Sequence, residues 1–392
     1  MAGVERAKVA LVQRSGRYEN VVAALERIAG RADVDPDPQR GVGTTSAASG
    51  ALAGVRSVLV KPNFVSVDHQ LAATHVDAVR AVLDFVRARY QGPVVVAEGA
   101  ALAPTQEGFH NYGYEPLARE YGVELVDLNT DETVPVQVYD RRLRPLTVRL
   151  ARTVVEADYR ISVGPPKTHD VVLVTLSIKN MVMGSLVNPQ SVNRGNGTPG
   201  LVRRIAGLVP KRLWWSRLAE WGKGAFVGRV AGSSKMAMHQ GFPVINLNLA
   251  LVAPYVWPHL AVIDGWEGME GEGPGAGEPV AWRVALAAAD PLALDTLVTH
   301  LMGFDPGNVG YLCYCGSLGL GVGNLEHIET VGNVAPGALR AFRPHPMYRR
   351  QLTWHLDGAE GYLRAGIEGA PDAADIADAG SASVRASGPT CA

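Results

Sequence analysis

Seven short apolar runs, most of them rich in Val, punctuate this chain and alternate with segments of helical periodicity. The runs are Lys8–Gln13, Ser57–Lys61, Val94–Glu98, Val123–Asp127, Tyr159–Val163, Leu260–Asp264 and Arg283–Ala288. Helical patterns cover Tyr18–Ile28, His75–Tyr90, Glu115–Tyr121, Pro291–Leu301 and Asn308–Leu318. In the second of these, Val79, Val82, Leu83 and Val86 form one apolar stripe at i, i+3, i+4 and i+7. Strands that are apolar throughout, with helices between them, need cover on both faces, which a mostly parallel sheet provides. The expectation is an α/β fold: a doubly wound, mostly parallel sheet with helices on both faces and an inserted basic helical segment. One α/β domain over residues 1–332 carries insertions at 31–54 and 201–235. A C-terminal helical extension covers 333–368, and an Ala-, Ser- and Asp-rich stretch at 369–392 reads as a disordered tail. Residues 31–54 are turn-rich and aperiodic and read as a mobile insertion.

The chemistry lies just beyond the end of each strand. Ser57–Lys61 delivers Lys61 and then Asn63, Val94–Glu98 delivers Glu98, and Leu260–Asp264 delivers Asp264. Behind Tyr159–Val163 come Lys167, Thr168, His169 and Asp170, presented by the stiff pair Pro165-Pro166. In an open parallel sheet the strand carboxyl ends share one edge, where ligands bind in a crevice. Residues far apart in sequence are thereby expected to converge. Lys179 and Asn180 follow another apolar run, Val171–Ile178, and a buried lysine needs a partner or a ligand, so Lys179 is expected to face the crevice. Several lysines around one crevice favour a carboxylate or phosphate. They also depress one another's pKa, which supplies a neutral amine as base or nucleophile.

On this reading His75, His169, Lys167 and Lys179 are the candidate catalytic residues. Lys61, Asn63, Thr74, Asn180, Glu267 and Glu270 are the candidate substrate contacts. Each has a plainer alternative: Lys61 and Asn63 as surface residues ending a strand, His75 as a neighbour of a helix cap. Thr74 with Asp77 three residues on resembles a capping box with Asp in place of Glu. The acidic, Gly-rich stretch Glu267–Pro274 suits a cation or amine contact or a flexible lid better than a phosphate cradle, because its glutamates repel phosphate. Asp290 with Pro291 reads as a helix N-terminus, and Asp295 as the more functional of the two aspartates. A divalent metal could use Glu98, Asp264 and His239, with His75 and His169 as further ligands, although no pair has a recognised ligand spacing. The cofactor is otherwise open. The only cysteines, Cys313, Cys315 and Cys391, form no C-x-x-C pair, which excludes a Cys-ligated iron–sulfur cluster.

Charge narrows the partners. With 37 basic and 38 acidic side chains the formal net charge is −1, so no chain-wide nucleic-acid role is expected. The start lacks the apolar core of a secretory signal and no apolar run reaches the roughly 18 residues of a membrane span, so a cytoplasmic protein is expected. One local patch departs from this balance. Arg203–Lys235 holds eight basic residues against the single acid Glu220, punctuated by Trp214, Trp215 and Trp221. It reads as an amphipathic helix on an anionic membrane surface, as a lid over an acidic substrate, or as a helical hairpin packed on the body.

Six segments taken together carry a resemblance: Val60–Asn63, Thr74-His75, Lys167–His169, Ser177–Met181, Asp264–Pro274 and Ala289–Asp295. With them the chain, from about Lys8 to Gly332, resembles the family called domain of unknown function 362. That resemblance implies an α/β fold and a shared pocket without a settled reaction. Many members append a ferredoxin-like module with Cys-rich cluster motifs, and the cysteines for it are missing here. A looser similarity is to the nickel-pincer lactate racemase apoenzymes, whose signature is not reproduced. It would make Lys179 the cofactor-holding lysine and His75 or His169 the proton carriers.

Overall fold

Every one of the seven apolar runs becomes a strand of one sheet. The structure, a computed structural model, describes residues 6–29, 52–101, 103–189, 233–334 and 340–367. The runs form β1 (Ala7–Val12), β2 (Val58–Lys61), β3 (Val94–Glu98), β4 (Glu124–Asp127), β7 (Tyr159–Gly164), β10 (Leu260–Gly265) and β13 (Val284–Ala288). With β14 (Ile328–Gly332) they make an eight-stranded sheet in the order β14-β1-β13-β10-β7-β2-β3-β4. Only β13 runs against the others, pairing antiparallel with β1 and β10. The remaining pairs are parallel, as continuous apolar strands require.

Alternation along each strand feeds two cores. Val9 and Leu11 of β1, Leu59 of β2, Ile263 of β10 and Leu286 of β13 face one of them. It also takes in the helices Ser177–Ser185, Phe242–Val252 and Pro291–Leu301. Ala10, Val12, Val58, Val60 and Val262 face the other, with helices Arg17–Ala29 and Val76–Arg87. The predicted stripe Val79, Val82, Leu83 and Val86 is buried there. This is the doubly wound α/β arrangement expected from the sequence.

Smaller pieces were not legible. A hairpin pairs β5 (Thr133–Tyr139) with β6 (Pro145–Ala151). A second sheet joins β8 (Lys167–His169), β9 (Leu173–Thr175), β11 (Gly268–Glu270) and β12 (Glu278–Val280), four strands in the order β12-β11-β8-β9. Because β8 continues from β7 and β11 from β10, this small sheet stands at the carboxyl edge of the large one. The Gly-rich acidic stretch is therefore in part a strand rather than a free lid. Beyond it, Phe342 stacks edge-on against Trp282 at 5.0 Å, and helices Tyr348–Gln351 and Ala359–Ile367 come next. Most of the expected insertions at 31–54 and 201–235, and the tail at 369–392, lie outside the described residues. No helix of the described residues is long and apolar enough to cross a membrane.

Candidate functional site

The strand ends bring Lys61, Glu98, Asn63 and Lys167 together as expected, and they add Lys179, Asn180, His169, His239 and Lys235. β2 ends in Lys61, β3 beside it ends in Glu98, and Gly164 of β7 leads through two prolines into Lys167 on β8. Helix Ser177–Ser185 puts Lys179 and Asn180 in its first turn. Asp295, 0% exposed, fixes that helix start: its carboxylate accepts from the backbone N–H of Ser177 and of Ile178, both at 2.9 Å, and from the Ser177 hydroxyl. Asp295 thus caps a helix, which corrects its reading as a functional residue.

Donor capacity divides the lysines. A lysine ammonium has three N–H donors. Lys61 uses all of them, on Glu98 Oε2, Pro62 O (3.0 Å) and Asn180 Oδ1 (3.1 Å). It has nothing left for a substrate, so its expected role as a contact becomes a positioning one. Asn180 Oδ1 also accepts from Asn63 Nδ2 at 3.0 Å, and Asn180 Nδ2 donates to Ser162 Oγ at 3.0 Å. Thr74 is likewise consumed, accepting the Asn63 N–H (2.8 Å) and donating to Val163 O (2.9 Å). The capping role predicted for Thr74 belongs instead to His75, whose Nδ1 accepts the Asp77 N–H at 3.2 Å.

Three ammonium groups keep capacity. Lys167 donates to Asn63 Oδ1 and to Ala72 O (2.9 Å), leaving one donor. Lys235 donates to Gly99 O and Gly184 O, again leaving one. Lys179, 6% exposed, makes no hydrogen bond among the described residues. Burial brings the Lys167 pKa down to about 7, with Lys179 adding repulsion. It brings Lys179 and Lys235 to about 8, opposed by Asp170 and Glu98 respectively. The positive end of its helix works against the Lys179 ammonium as well. Burial also lowers Lys61, opposed by Glu98.

Two imidazoles join this cluster. His169 Nδ1 accepts the backbone N–H groups of Val171 (2.9 Å) and Val172 (3.4 Å). Burial, then the charges of Lys179 and His239, drive its pKa well below the usual histidine value. His239 lies against the Lys235 carbonyl, Nδ1 to O 2.9 Å, and burial lowers its pKa too, opposed by Asp170. Both rings are neutral at physiological pH.

Other candidates sit elsewhere. Asp264 binds Arg17 (2.9 Å), and burial raises its pKa to about 6. Glu267 is 3.9 Å from the same Arg17. The charges acting on His75, after burial, are those of Arg17, Asp77 and Glu267, so His75 belongs to this second group and not with His169. Glu270 is tied to the C-terminal stretch, accepting from Arg340 Nη2 (3.0 Å) and the Arg343 N–H (2.9 Å), which makes it a structural anchor rather than a substrate contact. The metal candidates do not meet. Glu98 and Asp264 stand three strand spacings apart, about 14 Å, and the imidazole of His239 is engaged by the Lys235 carbonyl rather than by either carboxylate. Among the described residues no three His, Cys, Asp or Glu side chains are grouped to hold a metal ion.

Sequence reasoning missed Lys235 and Arg17 as members of these clusters. Arg17 opens the helix directly behind β1, a position the strand-end argument covers. Lys235 had only the Ser233 cap of the short helix Ser234–Ala237 as a signal.

A thylakoid-associated protein of Synechocystis sp., sll1697, is 22% identical over 267 residues, covering 67% of this chain and 68% of that protein. Among solved structures, the lactate racemase apoprotein from Thermoanaerobacterium thermosaccharolyticum matches 75% of this chain at 13% identity with a TM-score of 0.40, and the match spans 57% of that structure's chain. A family model described as Domain of unknown function (DUF362) matches residues 58–300, more than half of the chain and all of the large lysine cluster. The chain belongs to that family.

Proposed function

We propose that the protein is an enzyme that holds a small carboxylate or phosphate against Lys179 and Lys167 and acts on it by lysine–histidine acid–base chemistry. One observation carries this reading: the Lys179 ammonium is buried at a helix start with no acceptor among the described residues. A buried charge in that position costs several kcal/mol unless it is neutralised or paired, roughly, and an incoming anion pairs it. Lys167, with one donor to spare, supplies the second contact. Lys61, Asn63, Asn180 and Thr74 form the layer that holds Lys167 in place. The test is thermal unfolding with inorganic phosphate and with malonate. At a ligand concentration 100 times Kd the expected stabilisation is about 2.7 kcal/mol, and Lys179→Ala removes it while circular dichroism stays native. A Lys179→Ala protein that still responds to both anions as the parent does would refute the reading.

A second reading is favoured by the thylakoid association in the name of the Synechocystis relative and by the basic, Trp-containing composition of Arg203–Arg229, Lys235 being buried in the lysine cluster. In it that segment rests on an anionic membrane surface. Co-sedimentation with phosphatidylglycerol vesicles is then expected at low salt and lost at high salt. Absence of binding at low salt removes it.

A further inference from the structure

We infer that His169 and His239 are fixed in opposite tautomers and together select an anion that also carries a hydroxyl group: His169 Nε2–H donates to a ligand oxygen, and His239 Nε2 accepts from the ligand hydroxyl. The inference rests on the anion reading above and specifies the ligand further.

The tautomers are set by partners that have no choice of role. A backbone N–H can only donate, so His169 Nδ1, which receives those of Val171 and Val172, must present a lone pair. The neutral ring then carries its proton on Nε2. Asp170 Oδ1 lies 3.1 Å from the same Nδ1, but a proton there would point into the Val171 N–H. A backbone carbonyl can only accept, so His239 Nδ1 carries the proton toward Lys235 O and its Nε2 keeps the lone pair. Neither Nε2 has a hydrogen-bond partner among the described residues. Both rings lie within electrostatic reach of Lys179, and each is lowered by that charge.

A ligand seated on Lys179 thus meets one more donor and one acceptor. The donor suits any oxygen of the anionic group. The acceptor is selective. A second anionic oxygen would face the lone pair of His239, and a ligand ammonium would face Lys179 and Lys167. A neutral hydroxyl satisfies His239 without either penalty. The same logic assigns the two rings different tasks: His239 is the proton-accepting ring, and His169 is a neutral donor that cannot take a proton at the atom facing the ligand.

The experiment compares isosteric pairs with the full chain: glycolate against propionate for a carboxylate ligand, and 2-hydroxyethyl phosphate against propyl phosphate for a phosphate. The hydroxylated member of one pair is expected to bind about tenfold tighter, the worth of one well-formed hydrogen bond. His239→Leu should level that pair while anion binding itself persists, and His239→Gln, which offers an oxygen near the same place, should restore part of the preference. Nitrogen-15 NMR of the unsubstituted protein should show the proton on Nδ1 of His239 and on Nε2 of His169. Equal binding within both pairs, a preference that survives His239→Leu, or a proton on His239 Nε2 would overturn this inference and leave the anion reading standing. Failure of all four compounds to bind removes both.

Discussion

Lys61 and Lys179 are both buried lysines in one cluster, yet their removal should have opposite consequences. The Lys61 ammonium is the cation of Glu98, itself 1% exposed, and it also serves Pro62 O and Asn180 Oδ1. Lys61→Met strands a carboxylate in the interior, and breaking a buried pair in this way costs about 3–5 kcal/mol. Lys179→Met deletes a buried charge that has no acceptor among the described residues, so stability should hold or rise. Urea unfolding of the two variants decides it. A similar loss for both would mean that Lys179 is as much a part of the scaffold as Lys61, and its role as the ligand contact would go. Residue type alone could not have drawn this distinction. Lys61 follows apolar residues much as Lys179 does, and only the hydrogen-bond partners separate a saturated lysine from an unsatisfied one.

The helix Ser177–Ser185 is the element on which the site turns, because it carries Lys179 and Asn180 and depends on a distant residue for its start. Asp295→Ala leaves the Ser177 and Ile178 N–H groups unsatisfied in the interior, for an expected loss of about 1–3 kcal/mol. It should also weaken phosphate binding by releasing Lys179, whereas a mere stability defect would leave the affinity of the folded protein unchanged. At the other end of the helix, a Cβ on Gly184 would run into the Lys61 side chain. Gly184→Ala should therefore cost about 1–3 kcal/mol by overpacking, measurable as a lowered unfolding midpoint. Legibility divides at this scale too. Strands of the parallel sheet were readable because burial on both faces makes them unbroken apolar runs, and the helices Glu115–Tyr121 and Pro291–Leu301 match their sequence patterns end to end. The run Val171–Ile178 holds two elements that its unbroken apolarity conceals: the three-residue β9, and the helix start at Ser177, whose N–H and hydroxyl Asp295 takes. Strands of three residues such as β8, β9 and β11 are too short for any period to register. The roles of Thr74 and His75 were exchanged because a Thr followed by an Asp fits a cap pattern that the Asn63 N–H and Val163 carbonyl had already claimed. Thr74 does its work across the sheet, where sequence spacing carries no information.

At the scale of the whole molecule, parallel strands delivering their ends to one edge concentrate cations that the chain keeps far apart, and that concentration has a pH signature. An unfolded lysine titrates near 10.4, roughly, whereas in the folded protein Lys167 titrates at about 7 and Lys179 and Lys235 at about 8. Between those values the unfolded chain binds more protons than the native one, so these groups make stability rise with pH across that window. An anion needs the ammonium forms, so its affinity should fall as pH passes from about 7 to about 9. The two slopes are opposite in sign, which distinguishes a lysine-built site from a general loosening of the protein in alkali. Burial raises the pKa of Cys315 and Tyr114 above their ordinary values, which adds an opposing slope in alkali, so the informative quantity is the difference between the parent and Lys179→Met. The variant's stability advantage should be greatest below pH 8 and should shrink toward pH 10, because the parent gains by shedding the proton that the variant never had. Phosphate should narrow that gap below pH 8 and do nothing to it above pH 9. An advantage independent of pH would mean that Lys179 is already neutral or already paired, and the site would then lack the charge on which anion binding depends.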